Sequence, residues 1–435
     1  MINLLEKILL EFQRLIQGNE TLALFLSLTI TVAGILYLFL VTNYVDPYLV
    51  SKKKVSEVKN PLVSFLVSVK DDEEAIIDCI NSMTSQTYQN YEIFVVDDAS
   101  TDSTPEVLDT NFGKIPNINI IYLNKNIGKK KALAKAMQKA KGQIFAFTDS
   151  DSIWKEDAIE KIVAIFENNE KIGAVNGHCN AKNANLNIWT RIQNSWYDKQ
   201  YRWRKGFESN FGAVSCVSGP LACYRREAIY NYIPKWENDN FLGKEFRFAT
   251  DRIMTGFVLC GSYLGEKIKR SYPKSTFVKN EDYPCKNWDV VYSNSAKAWT
   301  IVPDNLNKII SQKIRWNKSF IRNIFFTGKH YWKKSLPAAL YYYIHVLYVF
   351  LYPFIFTGII IQLILNDYLL LLASSSLGYV FLSVLSSFFI KSPNKNIFDP
   401  IVGVLLHHLI FQWLIFYSIL TIKSMDWERK KQTEV

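Results

Sequence analysis

The chain has 435 residues, 49% hydrophobic and 14% aromatic, with a formal net charge of +11. That is more chain than one small domain needs, and enough for a buried core with further parts attached. No GxxxxGK(S/T) loop and no GxGxxG at the first strand-to-helix turn are present, which disfavours a nucleoside triphosphatase or a dinucleotide-dependent dehydrogenase.

In chain order, the first 17 residues carry apolar side chains at 2, 4, 5, 8, 9, 12, 15 and 16, the spacing of an amphipathic helix lying in a membrane interface. Residues 21–42 are uncharged and long enough to span a bilayer core as a helix. No small-residue cleavage site follows, so the segment reads as a retained anchor rather than a signal peptide. Three further apolar segments, roughly 337–365, 368–390 and 400–422, fill the C-terminal quarter. Lys52–Lys54 and Lys333–Lys334 flank the region between, and the positive-inside rule puts both its ends in the cytoplasm. The excess positive charge fits anionic lipid heads and anionic substrates better than nucleic acid.

A third full crossing by 400–422 would put the basic C-terminus outside. That segment, with Pro400, Gly403, His407, His408 and Gln412, is therefore expected to be re-entrant or interfacial. The histidines there read as helix-packing residues. The six cysteines show no CxxC pair or metal-ligand spacing and read as reduced thiols.

Strands are predicted at 61–69, 91–100, 117–123 and 143–149, with helices over 72–86, from the Ser/Thr-x-x-Glu cap near 103, and over 128–142. The alternation predicts a mostly parallel sheet with crossover helices, which binds ligands at the carboxyl ends of its strands. Asp97/Asp98 and Asp149/Asp151 fall at such ends. Each pair alone also fits a turn or a helix cap, for 149–151 the cap of a helix starting near Ile153. Together they suit a nucleoside on one carboxylate and a divalent ion, with its diphosphate, on the others.

"VSVKDDEEAI", "VVDDASTDST", "NKNIGKKKAL" and "FTDSDS" resemble, in order, the nucleotide-sugar half of the family 2 glycosyltransferases. "CVSGPLACYRREAI", "FLGKEFRFATDRIMT", "SQKIRWNKSFIRN" and "DWERKK" resemble the hyaluronan synthases within that family. The resemblance implies a GT-A-like α/β domain inserted between membrane helices. The expected division is 1–50 interfacial helix and anchor, 51–303 cytoplasmic catalytic domain, 304–335 interface helices and 336–435 channel region and tail.

It also implies a processive, inverting, plasma-membrane enzyme that polymerises UDP-sugars, UDP-GlcNAc and UDP-glucuronate, and translocates the nascent polysaccharide through the bilayer. Nucleic acid is not an expected partner, and the oligomeric state stays open, a monomer included. Asp98, Lys130 and Asp149 are expected at the nucleotide, and Asp151 with Asp149 at Mg2+ or Mn2+. Asp251 is the expected base. Gln312, Arg315 and Trp316 form the QxxRW motif. Cys216, Gly219, Pro220, Tyr224 and Arg225 are expected on the acceptor side.

Three departures from the family pattern stand out. Its GDD reads Ala249-Thr250-Asp251, its C-terminal WGTR reads Trp427-Glu428-Arg429-Lys430, and one N-terminal span is visible where many relatives have two. A chitin-type synthase, a glucose/glucuronate capsule synthase and a single-addition lipid glycosyltransferase are the alternatives within the class. A catalytically inactive scaffold or transporter is the alternative outside it.

Overall fold

The computed structural model describes residues 43–51, 60–365 and 398–424, with positions 6, 7, 10 and 13 near the N-terminus. The expected span 21–42, Lys52–Lys54, the segment 368–390, the Trp427–Arg429 stretch and most of the expected helix over 1–17 lie outside the described residues.

Ten strands are described: β1 (Val63–Val69), β2 (Tyr91–Asp97), β3 (Ile118–Tyr122), β4 (Ile144–Asp149), β5 (Ser152–Trp154), β6 (Ile172–Ala181), β7 (Ala222–Arg225), β8 (Asn240–Phe241), β9 (Lys244–Glu245) and β10 (Asp289–Thr300). Eight form one sheet in the order β3-β2-β1-β4-β7-β6-β10-β5, and β8 and β9 make a separate hairpin. The β3-β2-β1-β4 half is parallel, as the alternation predicted. β7 runs antiparallel to both β4 and β6, and β5 antiparallel to β10. The expectation of a helix starting near Ile153 is therefore corrected. Ser152–Trp154 pairs with Ala298–Thr300 as an edge strand, and the next helix begins at Ala158.

Helices α1 (Ala75–Thr84), α2 (Thr104–Phe112), α3 (Lys129–Lys139) and α4 (Ala158–Asn168) follow the first strands. The cap ahead of α2 differs in detail from the sequence pattern: Ser103 makes no side-chain capping bond, and Asp102 accepts the Thr104 N–H at 3.0 Å. Strands β1, β2 and β4 are buried on both faces, as their continuous apolar runs require. On one face Leu66, Phe94 and Phe145 join a cluster with Leu133, Met137 and Phe257. On the other Phe65, Val67 and Ile93 join Ile80, Leu108 and Ile162.

Beyond β6 come α5 (Ile188–Lys199), extended by a π-helical turn at Gln200–Lys205, then α6 (Thr250–Ser271) and α7 (Leu306–Phe326). α8 (Leu336–Leu365) turns Leu340, Ile344, Leu347 and Leu351 outward. α9 (Phe398–Leu409) and α10 (Leu414–Leu420) are separated by a 3₁₀ turn at Phe411–Trp413. Two stretches, Leu336–Gly358 and Ile401–Leu420, are long and apolar enough to cross a membrane. His408 bonds Tyr352 Oη and the Val404 carbonyl, both at 2.7 Å, which is the packing role its neighbours suggested.

Candidate active site

The register lines up the carboxyl ends of three strands. Val69 of β1 is opposite Asp97 of β2, and Ser68 is opposite Asp149 of β4. Three backbone positions around this rim, Asp71, Ala99 and Ala249, have φ of 49°, 58° and 60°. A left-handed non-glycine residue costs about 1–3 kcal/mol, and such strain gathers at functional sites.

Asp98 is buried. Its carboxylate accepts the N–H groups of Ile127 at 2.7 Å and Gly128 at 2.9 Å, which holds the turn that starts α3. Burial raises its pKa, and these two bonds work against that. Gly128 (φ 86°) lets the chain turn there.

The positive charge beside Asp149 is Lys129, which forms an ion pair with it. Gly219 backs the same carboxylate. A Cβ at Gly219 would come within 2.8 Å of Asp149 Oδ2, so a larger residue there would push that carboxylate aside. The Pro220 carbonyl accepts Trp154 Nε1–H at 2.7 Å, fixing this loop to β5. Asp151 accepts the Thr300 hydroxyl at 3.0 Å.

Asp251 lies in the first turn of α6, and Cys216 Sγ is 3.5 Å from its Oδ2. Thr255 Oγ1 takes the Val217 N–H at 2.9 Å and donates to the Asp251 carbonyl at 2.8 Å, which seats the 216–220 loop on α6. Burial pushes the Cys216 thiol up to about 11, with Asp251 adding to the shift.

Arg315 reaches in from α7. Burial lowers its pKa, and Asp149, Tyr197, Asp251 and Asp151 act in the opposite direction. One guanidinium thus lies within electrostatic reach of carboxylates from two separate segments, the end of β4 and the start of α6. Trp316 packs beside Tyr197, with ring centroids 6.0 Å apart. Gln312 Oε1 is buried and finds no donor among the described residues.

Three expected residues are not brought to this crevice. Lys130 is 5% exposed and points into the core, bonding Asp239 Oδ2 at 3.1 Å and the Phe246 carbonyl at 2.8 Å. One residue is about 100° around a helix, so Lys129 faces the carboxylate and Lys130 faces away. Tyr224 is 2% exposed and packs edge-on against Phe147. Arg225 lies four pairings from the crevice along the reversed β7. There it donates to the carbonyls of Ile172 at 2.7 Å, Phe166 and Asn169, tying down the end of α4.

Two lysines escaped the sequence reading. Lys129 stands next to the expected Lys130 in a run of three lysines. Lys205 ends the π-helical turn, 2% exposed, and donates to Ser218 Oγ at 2.6 Å and to Asn176 Oδ1. Burial pushes it down to about 8, with Cys216, Asp251 and Glu208 opposing. A π-turn shifts the helical register and frequently marks a functional site, but nothing in the local composition announces it.

A parallel-sheet crevice, carboxylates at its strand ends and an arginine above them define a nucleotide-sugar transferase domain. Residues 64–233 match the family described as Glycosyl transferase family 2, and the protein is a glycosyltransferase. Over 98% of its length, and 98% of the relative's, it is 28% identical to the hyaluronan synthase of Streptococcus pyogenes. An N-acetylglucosaminyltransferase of Mesorhizobium japonicum is 29% identical over 57% of this chain and 52% of its own. Among solved structures, a mannosyltransferase from Pyrobaculum calidifontis, in complex with GDP-Man and Mn2+, superimposes with a TM-score of 0.51. At 16% identity it covers 91% of this chain and 97% of its own, which bears on the fold.

Proposed function

We propose that the protein is a processive, inverting membrane synthase that polymerises UDP-GlcNAc and UDP-glucuronate into a hyaluronan-like polysaccharide and passes it across the bilayer. The observation that carries this reading is that buried Arg315 lies within electrostatic reach of Asp149, Asp151 and Asp251. The similarity to a hyaluronan synthase along almost the whole chain supports the product class. The outward apolar face of α8 suits a lipid bilayer as partner.

In this mechanism Asp251 accepts the proton of the acceptor hydroxyl. The hydroxyl oxygen then attacks the anomeric carbon from the face opposite the leaving diphosphate, which inverts the configuration. Arg315 and Lys129 neutralise the charge that grows on the departing UDP, with charge-assisted hydrogen bonds in a partly dry site. Asp98 holds the α3 turn and, with it, the uridine side of the crevice. Trp316 offers its face to the acceptor sugar, and Gln312 its amide. Cys216, Gly219 and Pro220 shape the acceptor side of Asp149 and Asp251.

Among the described residues no group of three or more His, Cys, Asp or Glu side chains is gathered to hold a metal. Two carboxylates one residue apart, Asp149 and Asp151, fit an ion that takes its other ligands from a diphosphate. Bound there, Mg2+ or Mn2+ would supply Lewis-acid neutralisation of the leaving group.

The test is full-length protein in lipid with Mn2+, given UDP-sugars singly and in pairs. Polymer that needs both UDP-GlcNAc and UDP-glucuronate and is destroyed by hyaluronidase is the expected result. Polymer from UDP-GlcNAc alone would replace this reading with a chitin-type synthase.

A further inference from the structure

Beside the crevice, α5, α7 and the α9–α10 turn enclose a cavity of about 250 Å³, lined by Trp196, Lys313, Asn317, His407 and Phe411. That is close to the lower end of small-molecule sites, roughly 300–1,000 Å³, and suits a single sugar ring. A smaller recess joins it to Trp316 and is bordered by Gln193 and Gln312. Gly403 of α9 allows the close approach, since a Cβ there would meet Trp196 Nε1 at 3.0 Å. Phe411 packs edge-on against Trp196, with centroids 5.3 Å apart.

Lys313 stands at the junction. Its Nζ lies 4.6 Å from the Trp196 ring centre and 4.9 Å from that of Trp316. No carboxylate among the described residues forms an ion pair with it. Burial pushes it down to about 8, and no acid among the described residues opposes the shift. Two amide oxygens on the recess, Gln193 Oε1 and Gln312 Oε1, are buried and find no donor among the described residues. Gln193 is only 3% exposed. An unsatisfied buried acceptor costs about 1–3 kcal/mol, which a ligand hydroxyl would relieve.

Aromatic rings, unsatisfied amide oxygens and a cation held by two ring faces with no carboxylate partner among the described residues together describe a ligand with apolar C–H faces, hydroxyl donors and a negative charge. We propose that this cavity is a subsite for an acidic sugar residue of the acceptor chain, and that Lys313 takes its carboxylate. A neutral sugar would use the tryptophans and amides and leave the cation unmatched. The inference rests on the polysaccharide-synthase reading and adds where an acidic residue of the chain is held and which side chain takes its carboxylate.

The test uses the full-length protein in zwitterionic lipid, which removes anionic headgroups as competitors. Tryptophan fluorescence is titrated with a tetrasaccharide alternating GlcNAc and glucuronate, and with the neutral GlcNAc tetrasaccharide. The native protein should bind the acidic one about tenfold more tightly or better, as a desolvated charge pair predicts. Lys313→Gln should erase the preference and Lys313→Arg should keep it. Equal affinities in the native protein, or a preference that survives Lys313→Gln, would overturn the proposal. The native comparison needs no variant, so it stands even if Lys313→Gln fails to fold. Because binding is read without turnover, the two readings fail separately. Acidic preference without polymer from the two UDP-sugars sinks only the product, and polymer without preference sinks only the subsite.

Discussion

Asp239 accepts Arg322 Nη2 at 2.6 Å in a place where both side chains are almost fully buried. Its other oxygen takes Lys130, so one carboxylate joins α3, the segment before β8 and α7. The helix carrying Gln312, Arg315 and Trp316 is thereby latched to the helix that presents Lys129. Asp239→Asn leaves two cations without their partner in the core. Removing one member of a buried ion pair costs about 3–5 kcal/mol. The variant should melt several degrees lower in lipid or detergent, and an unchanged melting profile would show that the latch carries no stability.

The adjacent lysines should behave oppositely. Lys129→Met should weaken UDP binding by roughly tenfold, the scale of one charge-assisted hydrogen bond, with little change in melting. Lys130→Met should lower the melting temperature. Titration calorimetry with UDP, set beside thermal unfolding of both variants, separates the roles. A swapped pattern would reverse the orientation assigned to α3.

Asp251→Asn should reduce polymer formation at least a hundredfold, the lower end of what a general base contributes, while UDP affinity stays near native. Normal turnover in this variant would remove the base assignment.

For Asp151→Asn, the expected loss is in metal-dependent nucleotide affinity. UDP titrations with and without Mg2+ read it directly. If the variant shows the same gain on adding Mg2+ as the native protein, Asp151 does not hold the ion.

Lys205 sets a pH dependence. Its folded pKa is lowered to about 8, below the ordinary lysine value. Between those values the unfolded chain binds the proton and the folded chain does not, so this group's contribution to stability rises with pH there. Its charge, which faces Asp251, Glu208, Cys216 and Arg252, is lost over the same window. Polymerisation rate should therefore fall above about pH 8, and Lys205→Arg should move that fall upward. A rate profile identical in the variant would place the titration on another group.

The strands and helices of the nucleotide half were legible because their signals are local. Continuous β-branched runs such as Val63–Val69 and the helical pattern of 128–142 report a period within a few residues. Asp98, Asp149, Asp151, Asp251 and Arg315 are expected site residues because they stand in motifs, each written in a short stretch. Lys130, Tyr224 and Arg225 were misplaced for a geometric reason. A motif names a neighbourhood, but helix phase and strand direction decide which member faces the ligand.

The sequence by itself determined the alternating α/β order, the acidic strand ends and the apolar C-terminal helices, since composition and spacing act along the chain. Only the tertiary structure decided that Lys129 rather than Lys130 answers Asp149, that Asp239 binds Arg322 across 83 residues, and that Lys313 stands between Trp196 and Trp316. Those pairings depend on how distant segments pack. Burial then fixes their energies, because a charge removed from water must find whatever partner the fold brings to it.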